Sequence, residues 1–318
     1  MSQIPYGIVI HGGAGNLTAL NTDTSKINAY SKVLNKALDT AWRILDAGGM
    51  AEDAVVAAIS VLEDSELFNA GRGSVLSHDG TVRMDASIMN GRDLSAGAVT
   101  ELRHTKNPIL CAKAVKDHTP HVMISGVEAD EFAREMGLEQ KPQSYFITEE
   151  KQLQLKKAIE RDKTELDHNG SGWHNNDGGD SKYGTVGAVA LDKHGNICAG
   201  TSTGGMTNKK YGRIGDSPII GAGTYANNAS CGISCTGHGE YFIRLAVAHE
   251  IESLVRHNNI SLDEAAKQVI HKDLAGLGGM GGVIGIDRQG KVCVEFNTPG
   301  MIRAWRTSKD EKSTVGFF

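Results

Sequence analysis

The chain has 318 residues, enough for two ordinary domains or one large one. Its 33 Lys and Arg against 38 Asp and Glu give a formal net charge of −5, which does not favour nucleic-acid binding, because phosphate-binding surfaces need clustered cations. Aromatic residues make up only 5%, few for base-stacking surfaces. The 39 glycines stand beside only 6 prolines, which indicates a folded backbone with many turns rather than a low-complexity chain.

The N-terminal residues 1–6 lack the basic and apolar segments of a signal peptide, and no run of about 18 apolar residues predicts a membrane span. The five cysteines lack the paired spacing of a zinc site, so we expect reduced, buried thiols and a cytoplasmic location. Pairing or metal binding by Cys231 and Cys235 is the alternative. The cysteines are Cys111, Cys198, Cys231, Cys235 and Cys293.

Hydrophobic periodicity predicts a mixed α and β protein. The first strand is predicted at 6–10, followed by a glycine turn at His11–Gly15. Helices are predicted at 25–47, 52–62, 241–255 and 262–271, and strands at 81–89, 96–103, 185–192, 197–203, 283–287 and 292–296. The turns 194–196 and 288–290 predict hairpins. Hairpins and helices in separate blocks favour a layered α+β fold over a doubly wound parallel sheet.

A polar segment at 168–180 contains four glycines, three asparagines and two aspartates in thirteen residues. Such a composition buries too little apolar area to order itself, so we predict a mobile linker at about 163–184. The next strand begins at Thr185. If the Gly184–Thr185 bond were cut, Thr185 would carry both a hydroxyl and an α-amine, whose reference pKa near 8 lets it act as a base for that hydroxyl. Gly184 suits this cleavage, because a residue without Cβ can adopt unusual backbone geometry.

Two other motifs point to different chemistry. The sequence Gly200–Gly204 matches the G-x-S-x-G of serine esterases around Ser202, with Asp216 and His238 following in the expected order. The following residues lack helical periodicity, which a nucleophile elbow requires, so a serine esterase is kept as an alternative. The G-x-G-x-x-G at Gly276–Gly281 follows a helix and precedes a strand, the reverse of a dinucleotide site, and is interpreted as a turn.

Several motifs together resemble the isoaspartyl peptidase/L-asparaginase family, the plant-type asparaginases among the N-terminal nucleophile hydrolases. They are His11–Gly15, Leu67–Gly73, Met84–Ile88, Thr185–Asp192, Thr201–Asn208, Gly212–Pro218, Gly221–Asn228 and Ser234–Glu240. The resemblance covers nearly the whole chain apart from about 140–182.

The resemblance implies a precursor that cleaves itself before Thr185 into an α subunit, 1–184, and a β subunit, 185–318. Both would pack into one four-layer αββα sandwich with two antiparallel sheets between helix layers. The family also suggests a dimer of cleaved heterodimers.

The resemblance assigns roles by motif. Thr185 would be the nucleophile, assisted by Thr203 and by Thr201 as a further candidate. Thr236 and Gly237 would form the oxyanion hole, and Asn69 would lie near the nucleophile.

Substrate binding is assigned in the same way. Arg213 would hold the substrate α-carboxylate, because its planar fork matches a carboxylate bidentately, and Asp216 would hold the α-ammonium. Gly239, with Thr236 and Gly237, would complete this site. Without the family, an ordinary turn at Thr236–Gly237 and a surface ion pair between Arg213 and Asp216 are the simpler interpretations.

No organic cofactor is expected. The resemblance implies a structural sodium ion, a hard cation that carbonyl oxygens suit. Its expected ligands are the backbone carbonyls of Leu62, Glu63, Ser65, Phe68, Ala70 and Arg72.

We therefore predict an amidohydrolase that cleaves L-asparagine or β-aspartyl dipeptides through an acyl-enzyme on Thr185. A glycosylasparaginase-like activity and an uncleaved small-molecule-binding relative remain alternatives, although Gly184 stands where glycosylasparaginases have Asp. His238 stands where relatives often carry Thr or Lys, which leaves the substrate preference open.

Overall fold

The computed structural model describes residues 5–318 except 21, 169–181 and 259. The strands are β1 Gly7–Gly15, β2 Met84–Asn90, β3 Ala96–Leu102, β4 Met123–Ser125, β5 Lys182–Tyr183, β6 Thr185–Leu191, β7 Ile197–Thr203, β8 Thr224–Ala226, β9 Cys231–Gly237, β10 Gly281–Asp287, β11 Val292–Phe296, β12 Gly300–Thr307 and β13 Thr314–Gly316. The helices are α1 Thr24–Asp46, α2 Ala51–Glu63, α3 Pro108–His118, α4 Gly126–Glu135, α5 Gln143–Phe146, α6 Glu149–His168, α7 Gly239–Leu245, α8 Val247–Asn258 and α9 Leu262–Lys267. A short 3-10 helix covers Thr18–Leu20, and a π-helix at Gln268–Leu274 continues α9.

The strands form two sheets. The larger has the order β13-β12-β1-β6-β7-β2-β3-β4, with β5 also paired to β1, and the smaller has the order β11-β10-β9-β8. The strand pairs are antiparallel except for β3 and β4, which run parallel. Both predicted hairpins, β6–β7 and β10–β11, are confirmed by their registers.

The fold has four layers, which are helices, the larger sheet, the smaller sheet and helices, and an apolar core lies between each adjacent pair. The first lies between α1, α2 and α3 and the larger sheet, and includes Leu38, Ile59 and Val186. The second joins the two sheets face to face through residues such as Val189 and Ile284. A third fills the space between the smaller sheet and α7 to α9. The predicted α+β, four-layer αββα fold is therefore confirmed.

Strand alternation decides which β7 side chains reach the space between the sheets. Ile197 and Ala199 pack in the core between the sheets, so Thr201 and Thr203 face the same way. Ser202 points to the opposite face, toward α2, where its hydroxyl contacts the Glu63 carboxyl.

The structure corrects several predicted boundaries. The strand predicted at 6–10 continues to Gly15, because a bulge between His11 and Gly13 keeps it paired with β12. The helix predicted at 241–255 breaks at Ala246, whose φ of 49° is left-handed. The strand predicted from Thr81 begins at Met84. Elements that carried no prediction include α3, α4, α6, β4, β8, β9, β12 and β13.

The predicted linker at 163–184 overlaps defined structure at both ends. Helix α6 extends to His168, and β5 pairs with Ala14 and Gly15 of β1. The rest, 169–181, lies outside the described residues.

All five cysteines are free and buried, as predicted. Within the described part of the chain, no helix is both long and apolar enough to cross a membrane.

Candidate active site

Two threonine hydroxyls meet at the end of the β6–β7 ladder. Thr185, the first residue of β6, lies opposite Thr203, the last residue of β7. The Thr185 hydroxyl donates to Thr203 Oγ1 at 3.1 Å, and the Gly205 N–H donates to the same oxygen at 3.0 Å. Thr203 therefore holds the hydroxyl proton of Thr185 and fixes the position of Thr185 Oγ1.

Asn69 packs against the residue that precedes Thr185. A Cβ built on Gly184 would lie 2.8 Å from Asn69 Cβ, and one on Gly204 would lie 2.5 Å from Asn69 Oδ1. The Asn69 amide donates to the Gly205 carbonyl at 2.7 Å and accepts from the Val75 N–H at 2.9 Å. The structure thus brings Asn69, Gly184, Thr185 and the end of β7 together.

The end of β9 supplies the predicted oxyanion-hole residues. Thr236 Oγ1 accepts the Ala14 N–H at 3.3 Å, which leaves the threonine hydroxyl proton available to a ligand. Gly237 lies so close to β10 that a Cβ there would be 2.5 Å from the Met280 carbonyl oxygen. Only glycine fits this position.

The predicted clamp contains a third charged residue that sequence reasoning missed. Arg213 donates from Nε and Nη2 to both carboxylate oxygens of Glu240, at 2.8 and 2.7 Å. This bidentate pair fixes the plane of the guanidinium. A Cβ on Gly239 would lie 3.0 Å from both Arg213 Nη2 and Asp216 Oδ1, so Gly239 lets the two clamp residues approach.

Asp216 is buried in this clamp, at 4% exposure, and is not a surface residue. Its Oδ2 has no hydrogen-bond partner among the described residues. Burial raises the pKa of this carboxyl to about 6, and nearby Arg213 opposes the rise. A buried, unsatisfied carboxylate oxygen suits a ligand ammonium group.

Thr201, the additional threonine candidate, bonds elsewhere. Its hydroxyl lies 2.7 Å from Ser234 Oγ and 3.1 Å from the Gly223 carbonyl oxygen, and its single proton is shared between these two neighbours. Sequence reasoning also missed His11, whose Nδ1 lies 3.0 Å from the Thr185 carbonyl oxygen. Its glycine-rich surroundings indicate a turn, and no sequence pattern links the imidazole to a residue 174 positions away.

Ser202, the alternative nucleophile, lies on the other side of the sheet. It is fully buried and donates to Glu63 Oε1 at 2.7 Å. Burial raises the pKa of the Glu63 carboxyl to about 8, although the Ser202 hydroxyl and the Ile109 N–H, which it accepts, oppose the rise. This arrangement does not resemble an exposed, histidine-activated serine.

The loop predicted to hold sodium is tightly packed on itself at two glycines. A Cβ on Gly71 would lie 2.4 Å from the Glu63 carbonyl oxygen, and one on Gly73 would lie 2.8 Å from that of Phe68. Both glycines have positive φ, 51° and 110°. Among the described residues, no group of three or more His, Cys, Asp or Glu could hold a metal. The Glu63 carbonyl accepts the Arg72 N–H at 2.7 Å and the Leu62 carbonyl accepts the Ser65 N–H at 3.1 Å, so the sodium ligands stay a prediction from the family.

Comparison with known proteins identifies the family. The asparaginase family model matches residues 4–316. The chain belongs to this family. It is 45% identical to the isoaspartyl peptidase of Escherichia coli over 96% of this chain and 94% of that protein. It is 40% identical to the isoaspartyl peptidase/L-asparaginase of Rattus norvegicus, over 97% of this chain and 88% of the relative. It is 38% identical to the probable isoaspartyl peptidase/L-asparaginase 2 of Arabidopsis thaliana, over 95% of this chain and 96% of that protein. Family membership makes the protein a hydrolase.

Proposed function

We propose that this asparaginase-family hydrolase cleaves itself before Thr185 and then hydrolyses L-asparagine and β-aspartyl dipeptides with Thr185 as nucleophile. The observation that carries the proposal is the 3.1 Å contact between the hydroxyls of Thr185 and Thr203, directly after Gly184. The names of the similar proteins support the substrate class.

Self-cleavage begins in the continuous chain. Thr185 Oγ1 attacks the carbonyl carbon of Gly184, and the peptide nitrogen takes up the hydroxyl proton and leaves as the α-amine of Thr185, so that an ester replaces the amide. Water then hydrolyses this ester. The products are subunits 1–184 and 185–318, and the new α-amine becomes the base for the threonine hydroxyl.

Turnover uses the same oxygen. The Thr185 α-amine takes the hydroxyl proton, and Oγ1 attacks the β-carbonyl carbon of the substrate. The Thr236 hydroxyl and the Gly237 N–H stabilise the developing oxyanion. The amine passes its proton to the leaving ammonia or amino acid, and water releases aspartate from Thr185 by the reverse sequence.

The clamp explains why one site would accept both substrates. Asparagine and β-aspartyl dipeptides each carry one free α-carboxylate and one free α-ammonium beside a β-carbonyl. Arg213 would bind the carboxylate, and Asp216 the ammonium. Asp216, buried with an unsatisfied oxygen, gains its cation only when such a substrate binds.

The remaining parts of the proposal rest on the family. A sodium ion would be held by the carbonyls of the loop from Leu62 to Arg72 and would stabilise the segment that carries Asn69. The cleaved subunits would form a cytoplasmic dimer of heterodimers.

Intact-mass spectrometry tests the central claim. The mature protein should give fragments of 184 and 134 residues, the second beginning at Thr185, and the Thr185→Ala variant should remain whole and inactive. An active enzyme found only as a full-length chain would refute self-cleavage. A single uncleaved band that binds asparagine without hydrolysis would instead favour the small-molecule-binding alternative. Faster hydrolysis of asparagine glycosylated on its side-chain amide than of asparagine itself would favour the glycosylasparaginase alternative.

A further inference from the structure

Five buried polar side chains form a continuous line between the two sheets. They are His11, Ser234, Thr201, Thr224 and Ser87, and each has 0% exposure. The line starts at the carbonyl oxygen of Thr185 and ends at the carbonyl oxygen of Ser217, beside Asp216. It therefore connects the proposed nucleophile to the clamp, and no step of the proposed mechanism uses it.

His11 stands where the β1–β6 ladder ends, before β1 pairs again with β5 at Ala14 and Gly15. The β1–β6 register runs from Gly7 opposite Leu191 to His11 opposite Gly187. Thr185 lies two residues beyond the last pair, and the bulge after His11 displaces β1 there. On the β1 side of β6, the His11 imidazole therefore contacts the Thr185 carbonyl, which a backbone N–H of β1 would contact if the regular ladder continued.

The geometry fixes the protons of His11. A carbonyl oxygen only accepts, so the 3.0 Å contact with Thr185 requires a hydrogen on Nδ1. Burial lowers the pKa of His11 to about 3, so the ring is neutral and Nε2 is an acceptor. Ser234 Oγ, 3.1 Å from Nε2, must then be the donor.

The hydroxyls behind His11 therefore point in one direction. Because Ser234 donates its only proton to His11, it accepts from Thr201 across 2.7 Å, a shorter contact than the 3.1 Å between Thr201 Oγ1 and the Gly223 carbonyl oxygen. Thr201 accepts from Thr224 at 2.6 Å. Ser87 contacts Thr224 Oγ1 at 2.8 Å and the Ser217 carbonyl at 2.6 Å. Each hydroxyl is held by its neighbour, which keeps the His11 tautomer in place.

Gly187 provides the space for this arrangement. A Cβ at Gly187 would lie 2.0 Å from Ser234 Oγ and 2.4 Å from His11 Nε2. No other residue type leaves that contact intact.

We propose that His11, with its tautomer set by Ser234, is a positioning residue that holds the Thr185 carbonyl and so fixes the attack geometry of the cleaved enzyme. Once the Gly184–Thr185 bond is cut, Thr185 loses its covalent support on one side, and this hydrogen bond takes on that part of its support. The inference rests on the proposed role of Thr185 as nucleophile.

Two His11 variants separate positioning from packing. The amide nitrogen of Asn occupies the place of Nδ1, whereas that of Gln occupies the place of Nε2. His11→Asn should keep kcat within about threefold, and His11→Gln should lower kcat about five- to tenfold, the effect of one lost hydrogen bond. KM should stay within about threefold in both, because neither touches the clamp. Rates are measured per cleaved subunit, counted by intact mass.

Ser234→Ala is a milder test should a His11 variant fail to fold. It should lower kcat about threefold by freeing the other tautomer. Ser230→Ala is the matched control, because Ser230 lies four residues before Ser234, is also buried and donates to Glu252. It should lower thermal stability and leave kcat unchanged. Nitrogen NMR of the wild-type ring should show hydrogen on Nδ1 and no titration between about pH 5 and 9.

Equal losses of kcat in His11→Asn and His11→Gln, a loss that appears in KM, or a hydrogen on Nε2 would each overturn the inference. The proposed function fails separately. If Thr185→Ala retains activity, Thr185 is not the nucleophile. If that variant is inactive while the two His11 variants behave alike, only the positioning role is wrong.

Discussion

The threonine pocket and the clamp are built by different physical means. The pocket, made of Asn69, Gly184, Thr185 and Thr203, is uncharged in the continuous chain and shaped by close backbone approach. The clamp, made of Arg213, Asp216, Gly239 and Glu240, is held by charge. Its guanidinium is fixed by a half-exposed carboxylate, and its aspartate is buried with an unsatisfied oxygen.

This difference predicts where substitutions act. Steric changes in the threonine pocket move reacting atoms and should alter self-cleavage and kcat, since small displacements of reacting groups are costly. Changes of charge in the clamp remove binding interactions that form only with substrate. They should alter KM and pH dependence while leaving self-cleavage intact, because cleavage does not involve the clamp.

The largest effect is expected from Gly204→Ala. The new methyl would lie 2.5 Å from Asn69 Oδ1 and 2.6 Å from Ser74 Cβ, so the end of β7 must shift next to Thr203. We expect self-cleavage to slow by about a hundredfold, as for a misplacement of about 1 Å. Gly276→Ala is the control, because a Cβ added at Gly276 has no neighbouring atom within 4 Å. Mass spectrometry measures the rate of self-cleavage. If Gly204→Ala cleaved itself at the wild-type rate, the threonine pocket would tolerate displacement of its backbone.

Arg213→Lys should have the next largest effect. Lysine keeps the charge but cannot hold Glu240 bidentately and bind a substrate carboxylate as well. We expect kcat/KM to fall about ten- to a hundredfold, mostly through KM, by the loss of charge-assisted hydrogen bonds. Self-cleavage should proceed at the wild-type rate. A parallel loss of self-cleavage would mean that the clamp supports the whole fold, and the contrast between the two regions would disappear.

The pH dependence of KM tests the charge of Asp216. Its pKa, raised to about 6, means that the carboxylate is ionised above pH 6 and neutral below it. Only the ionised form attracts the substrate ammonium, so KM for asparagine should rise up to about tenfold for each pH unit below 6. Asp216→Asn should have a high KM without this rise. Steady-state kinetics from about pH 4.5 to 8 measure both, and an unchanged KM in Asp216→Asn would remove Asp216 from the clamp.

The strands of the threonine pocket could be predicted from the sequence because they are local. Alternation in 197–203 correctly separates Ser202 from Thr201 and Thr203, and the turn at 194–196 sets the register that brings Thr203 to Thr185. The four layers required the family resemblance, since periodicity alone does not say which sheets stack.

The charged and long-range contacts could not be predicted. Glu240 follows a recognised motif, but nothing in its spacing reveals that it binds Arg213, 27 positions away. The His11 contact depends on a bulge in β1, and the glycines around that bulge give the sequence pattern of a turn. Strand β12 pairs with β1 across almost the full chain length, a contact that local sequence does not encode.

The smallest effect should come from Ser202→Ala, which tests the assignment of the nucleophile within the same strand. Ser202 lies between Thr201 and Thr203 but faces α2, so loss of its hydroxyl removes a hydrogen bond to Glu63 without touching the threonine pocket. We expect kcat to change less than twofold while the melting temperature falls by a few degrees, because a buried polar partner is lost. Thr203→Ala, one position along and on the opposite face, is the comparison and should slow both turnover and self-cleavage. A serine esterase would reverse this order: Ser202→Ala would be inactive, and a covalent inhibitor adduct would map to the peptide that carries Ser202. If both substitutions were equally harmful, the separation of the two faces of β7 would not govern function, and the pocket would extend through the sheet to Glu63.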